Sequence, residues 1–344
     1  MCGWPPGVNT SPSSARRAAW LRPPLLSRPL LTLDNRWPPT YPGWSGMASR
    51  RLPQGCSTPP AAEYPTGVAE TLGYVSLTYD EHNLGVTRGR GGVEAAAHAV
   101  AEEIGRRLPG LSFGLKAAGV STGAPLTPAD LARRVHEAYD PACAVELAAA
   151  DAAGVPIQLD WSDAGPTAHE EGDRDYRHDS GRSRTWEAIK PPPGVVRDNL
   201  LERLMSPTAQ ASRKRVTLLY RPIDAANTAT VVDRDLRAAI NREGRRRGIA
   251  HAHDTADLRA AKQATDEEAD GAGVVGFSIL VTATVPDDAG FDAACTAVER
   301  DARSARIRLS PVYGAQSAAF AAALGVGLSL PDLSVVPHPL REHL

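Results

Sequence analysis

The stretch Val275-Gly-Phe-Ser-Ile-Leu-Val-Thr-Ala-Thr-Val285 carries the strongest strand signal in the chain. Phe277, Ile279, Val281, Ala283 and Val285 fall on one face, and Ser278, Thr282 and Thr284 on the other. That is the period of two of an extended chain, in residues that favour a pleated surface. Downstream, Asp287-Asp288 opens a helix running to about Ser304, its two early acids suited to the positive end of the helix dipole. Ala305–Leu309 reads as a further strand and Tyr313–Leu324 as an Ala-rich helix. Upstream, Arg215–Tyr220 is a strand, and Pro222 and Asp224 open a long helix to Asp270, broken or bent near Gly244 and Gly248. The order β-α-β-α-β-α predicts a ferredoxin-like α+β unit over residues 195–333, followed by a tail at 334–344.

A first α+β lobe is expected over 61–150. Tyr74–Tyr79 alternates as a strand does. A helix follows over Val93–Leu108, with Val93, Ala96, Ala97, Val100, Ile104 and Leu108 on one face. Pro109-Gly110 is expected to stop it, with a strand over Leu111–Leu115. Thr127-Pro128-Ala129-Asp130 is a helix start, with Thr at the N-cap, Pro in the first turn and an acid three residues on. That helix runs through Leu131–Tyr139 and ends before Pro141. Residues 151–194 are polar and poor in regular period, and Pro191-Pro192-Pro193-Gly194 marks a stiff linker. The expected fold class is therefore α+β: two ferredoxin-like lobes of antiparallel sheet with helices packed on one face.

Residues 1–60 differ from the rest, with four of the six tryptophans and twelve of the 29 prolines. No helical or strand period survives there, and Arg22-Pro23-Pro24 cuts the one apolar run too short for a secretion signal. The expectation is a disordered or non-native leader outside the fold.

A net charge of −2 announces neither a nucleic-acid binder nor a membrane-surface protein. Arg supplies all but four of the 38 basic residues, which reads as codon usage of a GC-rich genome. The four cysteines, Cys2, Cys56, Cys143 and Cys295, are far apart and form no CxxC pair, so neither a disulfide framework nor a zinc site follows from their spacing. No apolar run is long enough to span a bilayer.

No Gly-Lys dipeptide exists, which excludes a phosphate-binding loop of the GxxxxGK[ST] type. HExxH and kinase signatures are absent as well. His251 and His253 point about 200° apart on a helix and do not chelate one metal. His169-Glu170-Glu171 and His178-Asp179 lie in the polar segment, with no third ligand or nucleophile at a definite spacing. No catalytic, cofactor or metal residue is assigned. Arg213-Lys214-Arg215 and Arg242/Arg245-Arg246-Arg247 are basic clusters beside acids, and they support the alternative reading of a nucleic-acid-binding surface on the second lobe.

The segments Trp161-Ser-Asp-Ala-Gly-Pro166, Glu170-Glu171, Asp175-Tyr-Arg-His-Asp179 and Arg184-Thr-Trp186 form a distinctive series. Val281-Thr-Ala-Thr284, Ala302-Arg-Ser-Ala-Arg-Ile-Arg-Leu309 and Tyr313-Gly-Ala-Gln316 with Ala319-Phe320 continue it. Taken in this order, the series resembles a family of actinobacterial conjugation-associated proteins encoded beside a type IV secretion-like ATPase. Its C-terminal lobe is similar to the non-motor amino-terminal domain of such ATPases. The resemblance spans about Ala61 to Leu333. It implies a non-enzymatic scaffold or coupling component, without cofactor, docked on the ATPase and other apparatus proteins at the cytoplasmic face of the plasma membrane. Family members begin with a membrane hairpin, and the Pro/Trp-rich leader stands in its place here, which suggests a truncated copy. Trp161, Tyr176, Arg177, His178, Asp179, Trp186, Tyr313, Gln316 and Phe320 are the expected buttress or partner-contact residues. Trp161, Tyr176 and Trp186 are expected to pack the polar segment against the second lobe, and Arg177 to pair with Asp179.

Overall fold

The structure, a computed structural model, describes residues 28–36, 69–79, 92–117, 119–120, 123–155, 157–190, 200–223, 225–244, 252–271, 273–286 and 288–328. It mixes helices with one eight-stranded sheet among those residues. The strands are β1 (Arg28–Arg36), β2 (Glu70–Thr78), β3 (His169–Glu171), β4 (Tyr176–His178), β5 (Gly181–Lys190), β6 (Arg213–Pro222), β7 (Val275–Val285) and β8 (Arg308–Pro311). The helices are α1 (Gly92–Ala117), α2 (Pro128–Tyr139), α3 (Cys143–Ala152), α4 (Glu202–Met205), α5 (Ala225–Gly244), α6 (Ala252–Ala269), α7 (Phe291–Ser304) and α8 (Gln316–Ala323). A 3-10 turn occupies Trp161–Asp163.

The sheet runs β2-β1-β6-β7-β5-β4-β3, with β8 also on β5. The pairs β1–β6, β3–β4, β4–β5, β5–β7 and β5–β8 are antiparallel. An α+β class is thus observed, but strands from residues 28–36, 70–78 and 169–190 join those of the expected second lobe in one sheet. The chain divides into two compact units at other positions than 150 and 194. One contains Leu77–Gly114 and Tyr220–Gly276; the other contains Leu30–Ser76, Leu115–Leu219 and Phe277–Leu344. In the first unit α5 and α6 run along each other, with Val232 and Ala239 buried on α5.

The second unit is built around β7. Its odd positions Ile279, Val281, Ala283 and Val285 pack with Trp186 of β5, Val216 of β6 and Phe291, Ala294, Cys295, Val298 and Ala302 of α7. The spacing of those α7 residues keeps them on one helical stripe. The even position Leu280 packs instead with Ala322 and Ala323 of α8. Helices therefore cover both faces of the sheet here. This corrects the expectation of one covered face and explains why β7 is buried continuously from Ile279 to Val285.

Several local expectations change. α1 continues through Pro109 to Ala117, so Leu111–Leu115 is helical and not a strand. Ile104, Leu108, Leu111 and Leu115 are spaced four, three and four apart, a helical stripe that carries the chain across the proline. Of the expected long helix, the stretches Ala225–Gly244 and Ala252–Ala269 are helical among the described residues. The polar segment 151–194 holds three strands, β3 to β5. Residues 28–36 of the expected leader form β1, in register with β6 from Leu30↔Leu219 to Arg36↔Arg213. The rest of the leader, the Pro191–Gly194 linker, Arg245–Arg247, His251 and the tail lie outside the described residues.

Thr127 caps α2 as expected. Its hydroxyl accepts from Asp130 N at 3.2 Å, and Asp130 Oδ2 accepts from Thr127 N at 3.0 Å, a reciprocal capping box. Asp288 does not cap α7: Gly290 is the N-cap residue, without a side-chain cap, and Asp287 lies outside the described residues. Asp288 instead joins arginines of β4 and β5.

Candidate functional site

The segments that carry the resemblance come together in the second unit, around β5. One edge of β5 pairs with β7 from Arg182↔Val285 to Glu187↔Leu280. The other edge is shared: β4 covers Gly181–Ser183, and β8 begins opposite Trp186. Between them stands Thr185, where the side chain of Gln316 fills the gap beside the Val312 N–H, which donates to Thr185 O at 3.0 Å. Gln316 Oε1 accepts from Thr185 N at 2.8 Å, while its Nε2 donates to Thr185 O at 3.0 Å and Val312 O at 2.6 Å. The amide thus behaves as one peptide unit of a missing strand residue. Gln316 is fully buried, as the first residue of α8. Glu171 of β3 fixes the same helix end, accepting from Ser317 N at 3.2 Å and Ser317 Oγ at 2.7 Å.

Behind this lock lies an aromatic cluster. Phe320 of α8 sits 4.6 Å from the His178 ring, 5.7 Å from Tyr176 and 5.0 Å from Tyr139 of α2, centroid to centroid. These tilted arrangements avoid the face-to-face sandwich that ring quadrupoles disfavour. His178 Nδ1 meets the Tyr139 carbonyl at 2.5 Å. A carbonyl only accepts, so Nδ1 carries the proton and Nε2 accepts from Ser183 Oγ at 2.7 Å. The Ser183 proton is then spent, and Thr284 Oγ1 donates to Ser183 Oγ at 2.7 Å. Thr185 and Thr282 pair their hydroxyls beside this chain at 2.9 Å. Ser183 and His178 are nearly inaccessible, so this serine–histidine contact presents no nucleophile to solvent. Burial pushes the His178 imidazole down to about 4, outweighing the hydrogen bond to Tyr139 that favours the charged form.

Of the expected contact residues, Tyr176, His178, Trp186, Gln316 and Phe320 are buried. Trp186 fills the α7 face of the sheet and donates from Nε1 to Glu299 Oε1 at 3.3 Å. Trp161 is 59% exposed and does not pack into that core, because the 3-10 turn presents it outward. Tyr313 is exposed, with the Arg174 guanidinium 5.0 Å above its ring. Arg177 and Asp179 do not pair. Arg177 donates to Asp288 Oδ2 at 2.7 Å, and Asp288 also takes Arg182 at 3.0 Å; these arginines hold its carboxyl below the usual range. Asp179 accepts from Thr167 N and Ala168 N at 3.0 and 2.9 Å. It has a φ of 36°, the left-handed region that the two-residue β4–β5 turn requires and Asp tolerates. Register slots Arg177 beside Arg182 across that hairpin, and Asp175 relieves the repulsion by accepting from Arg182 Nε at 2.7 Å.

The cluster Arg213-Lys214-Arg215 is buried, at 5%, 1% and 4% exposure. Arg213 Nη1 donates to the Glu137 carbonyl in the last turn of α2, where cations suit the helix end. Lys214 Nζ donates to Thr208 Oγ1 at 2.6 Å and lies 3.7 Å from Asp301, and burial pulls its ammonium down to about 8. Arg215 lies against the Phe320 ring at 5.6 Å. These side chains are not a surface available to phosphates. Sequence reasoning missed Tyr139 and Ser183 as partners of the quoted segments, and quoted Glu171 without its role at the α8 end; the buried polar pairs Ser183–Thr284 and Thr185–Thr282 give no hydropathy signal.

Two outcomes follow from this geometry. Gln316→Leu keeps the volume but orphans the Thr185 N–H, and is expected to destabilise by roughly 2–4 kcal/mol in chemical denaturation. His178 titrates near its ordinary 6.5 when unfolded but near 4 when folded, so the unfolded chain binds the proton first. Its contribution is complete above pH 6.5 and is lost as pH falls towards 4, by on the order of 3 kcal/mol. His178→Gln is expected to flatten that part of the stability–pH curve relative to wild type, and an unchanged slope would show that the buried imidazole is not its source.

No protein-family model matches the chain, and no curated protein matches it.

Proposed function

We propose that this chain is a non-catalytic scaffold or coupling component of a conjugation, type IV secretion-like DNA-transfer apparatus, acting at the cytoplasmic face of the membrane and docking on the apparatus ATPase. The ferredoxin-like character of its lobes belongs to the same reading. The observation that carries it is the use made of the distinctive segments. Trp161–Trp186, Val281–Thr284, Ala302–Leu309 and Tyr313–Phe320 are spent largely on mutual packing and on closing the edge of β5. A residue pattern with that use serves shape, as a docking platform needs, and its serine–histidine pair is buried. Among the described residues no helix is long and apolar enough to cross a membrane, which fits a part that meets the apparatus through protein contacts.

The exposed members of the series supply the docking surface: Trp161, and Tyr313 with Arg174 stacked on it. Large aromatic and arginine side chains at the surface are the residue types that dominate protein interfaces. The alternative reading, a nucleic-acid surface on the second lobe, loses its Arg213–Arg215 half to burial, and its other cluster lies in part outside the described residues.

The full chain, co-expressed with a type IV secretion-like ATPase of the kind encoded beside the family the series resembles, is expected to recover that ATPase in stoichiometric amount. Tyr313→Ala combined with Trp161→Ala is expected to lower recovery at least about tenfold, since two interface aromatics contribute more than about 1.4 kcal/mol. Folded wild-type protein that recovers no ATPase would overturn the proposal. Binding of DNA with a steep salt dependence, and none of ATPase, would favour the alternative.

A further inference from the structure

The junction between α2 and α3 carries His136, Asp140 and Cys143, each half-buried. One ligand atom from each lies within 4.8 Å of the other two. His136 lies in the last turn of α2, and Asp140, four residues on, is the residue that caps the helix end. The chain then turns, with Cys143 N donating to Asp140 O at 3.2 Å, and this brings the thiol back beside them. Cysteine-to-cysteine spacing does not reveal such a set, because only one of its members is a cysteine.

Two of the three groups are held by contacts of the kind that orient metal ligands. His136 Nδ1 lies 2.9 Å from the Asp163 carbonyl. That oxygen only accepts, so Nδ1 carries the proton and Nε2 presents its lone pair. Asp140 Oδ1 accepts from Ser180 Oγ, which in turn accepts from Ala142 N at 2.9 Å. Ser180 sits in the β4–β5 turn, so the junction is already tied to the sheet.

We propose that His136 Nε2, the Asp140 carboxylate and Cys143 Sγ bind one divalent transition-metal ion of the zinc type, with solvent in the fourth position. A nitrogen, an oxygen and a sulfur donor together select a borderline ion such as Zn²⁺ over Mg²⁺ or Ca²⁺, which take oxygen ligands. Bonds of about 2.0–2.3 Å in a tetrahedron place ligand atoms roughly 3.3–3.8 Å apart, so the group closes by about 1 Å through side-chain rotation. Binding forms the S–metal bond as Cys143 S–H releases its proton to solvent, with no change of oxidation state. A dication with one carboxylate and one thiolate leaves a neutral centre. Without a cation the thiol holds its proton, pushed up to about 12 by burial and then by Asp140, Glu137 and Glu146, against the opposing charge of Arg213. The inference is independent of the proposed docking role: the ion would pin the α2–α3 junction against the β4–β5 turn.

The test is titration of the full, reduced chain with Co²⁺. One equivalent is expected to give the thiolate-to-cobalt charge-transfer band in the near ultraviolet and the visible bands of tetrahedral Co²⁺, both removed by one equivalent of Zn²⁺. Cys143→Ser and His136→Gln, checked for unchanged circular dichroism, are expected to lose the charge-transfer band and the tetrahedral visible bands respectively. Ser180→Ala, which removes only a positioning hydroxyl, is expected to weaken Co²⁺ binding about 10–100-fold while leaving the spectrum intact. A double Cys2→Ser, Cys56→Ser variant is expected to keep the full spectrum. No band at one equivalent in wild type, or a band that survives in Cys143→Ser, would overturn the site.

Discussion

The edge of β5 opposite β7 is covered by two strands that do not meet, and the side chain of Gln316 completes it together with the Val312 N–H, which donates to Thr185 O. A sheet edge left open inside a protein exposes backbone groups that neither water nor a neighbour satisfies, at a cost of about 1–3 kcal/mol for each orphan. Gln316 supplies one acceptor and two donor hydrogens on a short lever, which is what a residue at Thr185's flank must offer. Because the glutamine begins α8, meeting this need also fixes where that helix starts. Phe320, four residues on, is thereby set among Tyr139, Tyr176 and His178, and Ala322 and Ala323 come to rest on Leu280. Glu171 anchors the same helix end from β3, so α8 is held by groups from two strands.

The two faces of the sheet are built on different chemistry. Towards α7 the contacts are apolar, from Trp186 and Val281 to Phe291 and Val298. Towards α2 and α8 a polar layer runs through Thr284, Ser183, His178 and the Tyr139 carbonyl, with its proton order fixed by the one member that only accepts. Such a fully satisfied buried network specifies one register, since sliding β5 by a residue would face Arg182 and Arg184 with this layer and break every hydroxyl pair. Arg213 closes the end of α2 from the same side. Two arginines and a lysine on β6 are therefore internal struts. A platform of this kind holds its surface aromatics in fixed positions, which is the physical content of the proposed docking role.

Much of the second unit was legible in the sequence where hydropathy alternates cleanly. β7 was read to its boundaries, and β6 and the Thr127 cap were also visible. What escaped notice did so for identifiable reasons. β5 carries polar residues on both faces: Ser183 and Thr185 are buried in hydroxyl pairs, while Arg182 and Arg184 lie over the Phe291 ring at 4.1 and 5.0 Å. Its hydropathy period is thereby erased, and the segment reads as a loop. β1 lies in proline- and tryptophan-rich surroundings whose composition masked a strand that finds its partner almost two hundred residues away in sequence. The charges of Arg213–Arg215 suggested a solvated face, because sequence alone does not show that the end of α2 and the carboxylate of Asp301 wait for them. The quoted segments named most of the residues at the β5 edge, but not the interactions that use them.

The direct test of this account is amide hydrogen exchange at Thr185, followed residue by residue in wild type and in Gln316→Leu. If the glutamine is what closes the edge, the Thr185 amide exchanges in wild type only through global unfolding, with a protection free energy equal to the stability measured by denaturation. In the variant it exchanges through a local opening at much lower free energy, while Val281 and Ala283 of β7 still report the global value. Equal protection of Thr185 in both proteins, after allowing for the change in global stability, would show that the edge is closed without Gln316 and would contradict the account.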